Sequence, residues 1–226
     1  RAEDVFRLQE QVAGQVLAAL GIGAEGLGAK PETSSLSAYR AFVEGNAALA
    51  RGEAAEAESA FLRAVADDPK YAKAWNNLGA ARMRAGRPAE ALTSFQKAAE
   101  ADPVVPRHWV NVAVAAQSAG APALVEPALG QALERDPDCL PALLVKGELL
   151  MRAGRAAEAA PLFERAARAA PQSAEAHNAL GVAYDRSGDA ARAAAEYRKA
   201  VAMDPRFARA HSNLGLILME RGCLDE

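Results

Sequence analysis

Several residues of this 226-residue chain have types and spacings that could do chemistry. Gly21, Gly23 and Gly26 spell G-x-G-x-x-G, which cradles a dinucleotide pyrophosphate when it joins a strand to a helix N-terminus. Here a helical stripe precedes the motif, and Gly28 and Pro31 prevent a helix from following, so a flexible joint is expected and no cofactor. His177 and His211 occupy equivalent positions on successive helices, whose axes would lie about 8–10 Å apart, too far for two imidazoles to share a metal comfortably. They are expected to pack. The repeat geometry is not expected to bring a Ser, Cys or carboxylate to His108 in a way that would support nucleophilic catalysis. Cys139 and Cys223 are far apart in sequence, and without clustered His or Cys they build neither a zinc site nor an expected bridge. Glu53, Glu56 and Glu58 read as solvated groups near a helix N-terminus, where the helix dipole favours them, rather than as an acid–base pair. The chain is therefore expected not to be an enzyme and to hold no metal.

What positions these residues is a repeat. Gly52, Gly86, Gly120, Gly154, Gly188 and Gly222 are spaced by 34 residues, and Pro69, Pro103, Pro137, Pro171 and Pro205 keep the same step. Each glycine follows about one helix of periodic sequence and suits a left-handed residue beyond a helix C-terminus. Each proline follows a second helical stretch, four times as Asp-Pro, and ends it by removing a donor and restricting the preceding residue. The unit is a pair of antiparallel helices. Pro127 and Pro161 fall at one position inside the second helices of repeats three and four, which are expected to be the least regular.

Trp75, Leu78, Gly79, Ala91, Phe95 and Pro103 resemble the tetratricopeptide consensus Trp-x2-Leu-Gly-x2-Tyr, Ala-x3-Phe, Pro, with Arg82 at the tyrosine position. Leu180, Gly181, Tyr184, Ala193, Tyr197 and Pro205 match again, with His177 in the tryptophan slot. Weaker copies begin at Ala41, Trp109 and Leu143, and a sixth begins at His211. The resemblance implies an all-α fold, a right-handed α-solenoid of helix-turn-helix repeats. Five full repeats are expected near 38–71, 72–105, 106–139, 140–173 and 174–207, then a half repeat over 208–226, together a 37–226 array. Small residues would let helix backbones approach while the aromatic fills the gap between them.

Residues 1–20 form an expected amphipathic helix with Val5, Leu8, Val12, Val16 and Leu20 on one stripe, followed by a Gly-rich linker over 21–36. Asp4-Val5-Phe6-Arg7-Leu8-Gln9-Glu10 resembles the helix that ends a TolB-like sensory region and leads into tetratricopeptide arrays in bacterial signalling proteins. That resemblance implies a cyclase, a Ser/Thr kinase or a DNA-binding regulator upstream, making these repeats its sensory or oligomerisation arm. The alternative is a capping helix peculiar to this chain.

Function is expected on the face lined by the first helices. There Asn46, Asn77 and Asn111 form a polar ladder, Lys73 and Arg107 stand a turn away, and Val110, Val114, Leu144 and Val145 make the face apolar further along. Asparagine donates to and accepts from a peptide backbone at once, which suits an extended peptide or a partner helix. Asn46, Asn77 and Arg107 resemble part of the carboxylate clamp that holds acidic chaperone C-termini, although Phe42 replaces a clamp lysine and Asn111 an arginine. The other reading is that these polar residues are simply solvated.

A net charge of −3 offers no basic field for nucleic acid, and no apolar run is long enough to insert in a membrane. Protein or peptide partners are expected. A second copy is a further candidate, through the Val5, Leu8, Val12 stripe or through the last helix, whose Leu214, Leu216, Ile217, Leu218 and Met219 lack a covering helix. Two isolated thiols fit the cytoplasm. The chain starts at Arg1, as a fragment would, and an upstream signal or anchor would place it in the periplasm instead.

Overall fold

The computed structural model describes residues 33–220. The helix expected over 1–20 with its Val5, Leu8, Val12 stripe, the TolB-like resemblance, most of the linker, Gly222 and Cys223 lie outside the described residues. The described residues hold eleven α-helices and no strand. They are α1 (Leu36–Arg51), α2 (Ala54–Asp67), α3 (Ala72–Arg84), α4 (Pro88–Ala101), α5 (Pro106–Ser118), α6 (Val125–Arg135), α7 (Leu140–Arg152), α8 (Ala156–Ala169), α9 (Ala174–Arg186), α10 (Ala190–Met203) and α11 (Ala208–Glu220). The chain divides into two compact units, Arg1–Ala128 and Leu129–Glu226. In the first, α1 packs on α2, α2 on α3, α3 on α4 and α4 on α5; in the second, α7 through α11 pack in succession.

Every turn inside a helix pair has one design. Gly52, Gly86, Gly120, Gly154 and Gly188 all take positive φ, between 71° and 83°. The residue after each donates its N–H five residues back, as Glu53 to Ala48 at 2.9 Å and Asp189 to Tyr184 at 2.9 Å, which satisfies carbonyls that the ended helix leaves open. Only glycine takes this backbone without a Cβ penalty, so the 34-residue step of glycines is a step of left-handed caps.

The corner between repeats is built by side chains. The aspartate of each Asp-Pro pair accepts from the backbone N–H two residues on: Asp68 from Lys70 at 2.9 Å, Asp136 from Asp138 at 3.0 Å, Asp204 from Arg206 at 2.9 Å. These acids are turn formers. The proline carbonyl receives a ring N–H from six residues ahead: Trp75 Nε1 to Pro69 and Trp109 Nε1 to Pro103 at 2.9 Å, His177 Nε2 to Pro171 at 3.1 Å and His211 Nε2 to Pro205 at 3.0 Å. Leu143 has no donor in that slot, and Arg165 of α8 bonds Pro137 O instead. The tryptophan slot thus carries a hydrogen bond as well as packing area.

Cores follow the glycine–aromatic pairing. In the first unit Phe61, Tyr71 and Leu78 are enclosed among alanines of α1, α2 and α3. In the second, Phe163, Leu180 and Tyr197 form the corresponding cluster. Repeat three departs from the pattern: a 3-10 turn over Pro122–Leu124 precedes α6, which has 11 residues, where α2, α4, α8 and α10 have 14. Repeat four does not shorten: Pro161 lies inside the 14-residue α8 and removes one helical donor, that to Ala157.

Candidate partner-binding site

The asparagines do not stand separately on the surface. Asn77 Nδ2 donates to Asn46 Oδ1 at 2.8 Å, and Asn111 Nδ2 donates to Asn76 Oδ1 at 2.7 Å. Asn76 Nδ2 reaches Asn77 Oδ1 at 3.4 Å, so four amides run Asn111, Asn76, Asn77, Asn46 with every donor pointing the same way across α5, α3 and α1. Each Oδ1 but that of Asn111 accepts within the chain, while each Nδ2 keeps a hydrogen. Every bond uses one donor and one acceptor, so the spare capacity is equal in the two.

This chain borders a pocket of about 270 Å³ lined by Phe42, Lys73, Asn76, Asn77, Asp102, Val105, Arg107 and His108. Lys73 and Arg107 are exposed, and Arg107 makes no ion pair among the described residues. Phe42 is half-buried and packs against Tyr71 at 5.0 Å and Phe61 at 6.0 Å between ring centroids. It walls one side with an apolar ring where a clamp would need a charge.

Of the apolar residues expected on this face, only Val114 is exposed, at 36 %. Val110 is 4 % exposed and belongs to the core, because it faces inward on α5 together with Ala113 and Ala116. Leu144 is 8 % exposed and sits in the core of the second unit with Leu143 and Phe163. Neither offers surface to a partner. Lys73, Asn77 and Arg107 come together at the pocket, Asn46 and Asn111 end its amide chain, and Asn76 was missing from the sequence ladder.

A second pocket, of about 430 Å³, lies in the second unit, beyond the expected asparagine ladder. Three periods of 34 residues separate Asn76 from Asn178 and Asn111 from Asn213, and Asn213 Nδ2 donates to Asn178 Oδ1 at 3.0 Å as its counterpart does. The same offset carries Lys73 to Glu175 and Arg107 to Arg209, all four of which line their pockets. Comparing repeats three periods apart, rather than adjacent ones, was the signal in the sequence.

Away from the pockets, charged groups tie helices together. Glu58 was expected to be solvated, but its side chain is 17 % exposed and paired to Arg82 at 3.1 Å and to Arg87. Arg82 also donates to the buried Ser94 hydroxyl at 2.9 Å, so the residue at the tyrosine position is a bridge from α2 to α4. His177 is buried, with Nδ1 2.6 Å from Glu196. Burial pushes the Cys139 thiol above its ordinary range. Among the described residues no three His, Cys, Asp or Glu side chains converge as metal ligands, and no helix is long and apolar enough to cross a membrane.

No curated protein matches the chain. Among solved structures it is similar to a MamA from Desulfovibrio magneticus RS-1, with TM-score 0.59 and 26% identity over 70% of this chain and 88% of that one. It is also similar to YrrB, described as a TPR protein with an unusual peptide-binding site, with TM-score 0.58 and 22% identity over 77% of this chain and 90% of that one. The Cut9–Hcn1 structure aligns over 97% of this chain and 42% of that one, with TM-score 0.72 and 15% identity. A tetratricopeptide repeat model matches residues 42–106, 113–174 and 178–226, and with the glycine-capped helix pairs and corner prolines described above, the chain belongs to the tetratricopeptide repeat family.

Proposed function

We propose that the chain is an interaction scaffold whose N-terminal unit binds an extended, acidic segment of a partner protein in the pocket bordered by Lys73, Asn76, Asn77 and Arg107. Protein–protein interaction is the general work of tetratricopeptide repeats, and a peptide-binding site is named for the structurally similar YrrB. The observation that carries the finer reading is two exposed cations at a pocket bordered by an amide chain that keeps an unused hydrogen on every Nδ2. Carboxylates and peptide carbonyls are the acceptors such a surface selects. Asn46 and Asn111 extend the donor row, Phe42 flanks an apolar side chain of the partner, and Val114 offers a second apolar contact one turn beyond Asn111.

The test is titration of the 226-residue chain with a capped, fluorescently labelled peptide of alternating Asp and Ser around one Leu. Lys73→Glu with Arg107→Glu is expected to weaken binding tenfold or more, and raising salt from about 0.05 to 1 M, which shortens the screening length to about 3 Å, should erode wild-type affinity. Unchanged affinity in a variant with wild-type helicity overturns the proposal.

A further inference from the structure

The two pockets share a frame and differ in lining. At equivalent positions Lys73 becomes Glu175, Asn77 becomes Ala179 and Val105 becomes Phe207, while Arg107 is retained as Arg209. Val182 and Met151 add apolar wall to the second pocket, which is the larger. Glu175 and Arg209 are both exposed and neither is ion-paired among the described residues, although Glu148 and Arg152 at the same pocket pair with each other at 3.7 Å. The second pocket therefore presents one unneutralised charge of each sign, on α9 and α11, with an apolar floor between them. Two opposite charges left open at a pocket, when their neighbours have closed into a pair, call for a ligand that carries both signs.

We infer that the pocket of the second unit is a separate peptide site, selective for a segment with a bulky aliphatic side chain flanked by one basic and one acidic residue. The basic residue meets Glu175, the acidic residue meets Arg209, and the aliphatic side chain fills the space against Met151, Val182 and Phe207. Side chains at alternate positions of an extended strand share a face at about 6.6–7 Å steps, so residues four apart set their charges about 13–14 Å apart with the apolar residue midway. Asn178 Nδ2 and Asn213 Oδ1 are not used in the bond between the two amides, and supply one donor and one acceptor for the backbone of that segment. This inference does not rest on the reading of the first pocket, since it involves other residues and the opposite charge at the diagnostic position.

The experiment uses the 226-residue chain and two capped, labelled peptides, Lys-Ser-Leu-Ser-Asp and its reverse order, with the acidic peptide above as a parallel probe. One of the two orders should bind, and Glu175→Lys should weaken it tenfold or more while the acidic peptide still binds at least as tightly as to wild type. In the Lys73→Glu, Arg107→Glu background, where the first pocket no longer takes acidic segments, changing the peptide lysine to Glu should restore binding to Glu175→Lys, which a merely unfolded variant could not do. Val182→Asn should weaken both pairings. Binding of neither order, or a Glu175→Lys variant that binds the original peptide as well as wild type, overturns the inference; loss of the acidic peptide alone on Lys73→Glu with Arg107→Glu would concern only the first pocket.

Discussion

A methyl group on Gly79 would stand 2.7 Å from the ring of Phe95, closer than carbon atoms pack. Gly45 meets Phe61, Gly147 meets Phe163 and Gly181 meets Tyr197 at the same positions and at 2.4–2.6 Å. In repeat three both halves of the pair change together, to Ala113 and Leu129. Gly79→Ala alone should therefore destabilise by about 1–3 kcal/mol through overpacking, despite the roughly 1 kcal/mol that alanine gains over glycine inside a helix. Adding Phe95→Leu should recover part of that loss, giving a favourable coupling in a double-mutant cycle read by urea melts. Additive penalties would show that the ring and the missing Cβ are not one unit.

The buried Asn178 and its partner Asn213 give a second cycle. Asn213→Val leaves the Asn178 carbonyl without its donor and should cost about 1–2 kcal/mol. Replacing both by Val removes donor and acceptor together and should cost less than the single change. The chain itself carries the precedent, because Val110 and Val145 stand at the equivalent positions one repeat after Asn76 and Asn111.

Acid should unfold the protein through particular carboxylates. Glu58 is held below the usual carboxylate range chiefly by the hydrogen bond from Arg87, with Arg82 adding to it and burial opposing it. For Glu196 burial is the largest influence and works upward, but the hydrogen bonds from Lys199 and His177 together outweigh it and the net direction is down. A folded-state value below the unfolded one binds fewer protons when folded. The associated stability is therefore complete above the unfolded glutamate value of about 4.3 and is lost as pH falls through the folded values. Urea midpoints measured downward from neutral pH should drop below that point, and Glu58→Gln should start lower and lose less. A variant whose midpoint falls in parallel with wild type would show that Glu58 is not a contributor.

Corner hydrogen bonds make a fourth prediction. Trp109→Phe keeps most of the ring area and removes only the donor to Pro103 O, so it should cost about 1 kcal/mol in thermal melts followed by circular dichroism. A neutral result would mean water replaces the indole N–H at no loss.

Repeat length, turn glycines and the packing aromatics were legible in the sequence because each is dictated by one backbone or volume requirement at a fixed position. Lys73, Asn77 and Arg107 were legible as neighbours for the same reason, since equal offsets in successive repeats share a face. What could not be read was how side chains divide between surface and core within that face: Val110 and Leu144 turn inward although their sequence neighbours Asn111 and Val145 are less buried. Nor could hydrogen-bond direction be read, because the link between Asn76 and Asn111 spans 35 residues and the one between Asn46 and Asn77 spans 31, offsets that straddle the period. Arg165 taking over Pro137 from the missing slot donor depends on a long flexible side chain, which no spacing rule fixes.

Both tryptophans of the chain, Trp75 and Trp109, sit at corners of the first compact unit with their indole nitrogens engaged. Indole emission is consequently a private optical channel for that half of the molecule, while helical ellipticity sums over both. If the halves melt as one cooperative block, the two signals will trace superimposable curves; if stability is distributed repeat by repeat, as quasi-one-dimensional arrays allow, they will separate. The fluorescence curve would then belong to the α1–α5 region, with no label added, and quenching by a bound segment would report occupancy of that half and be blind to the other.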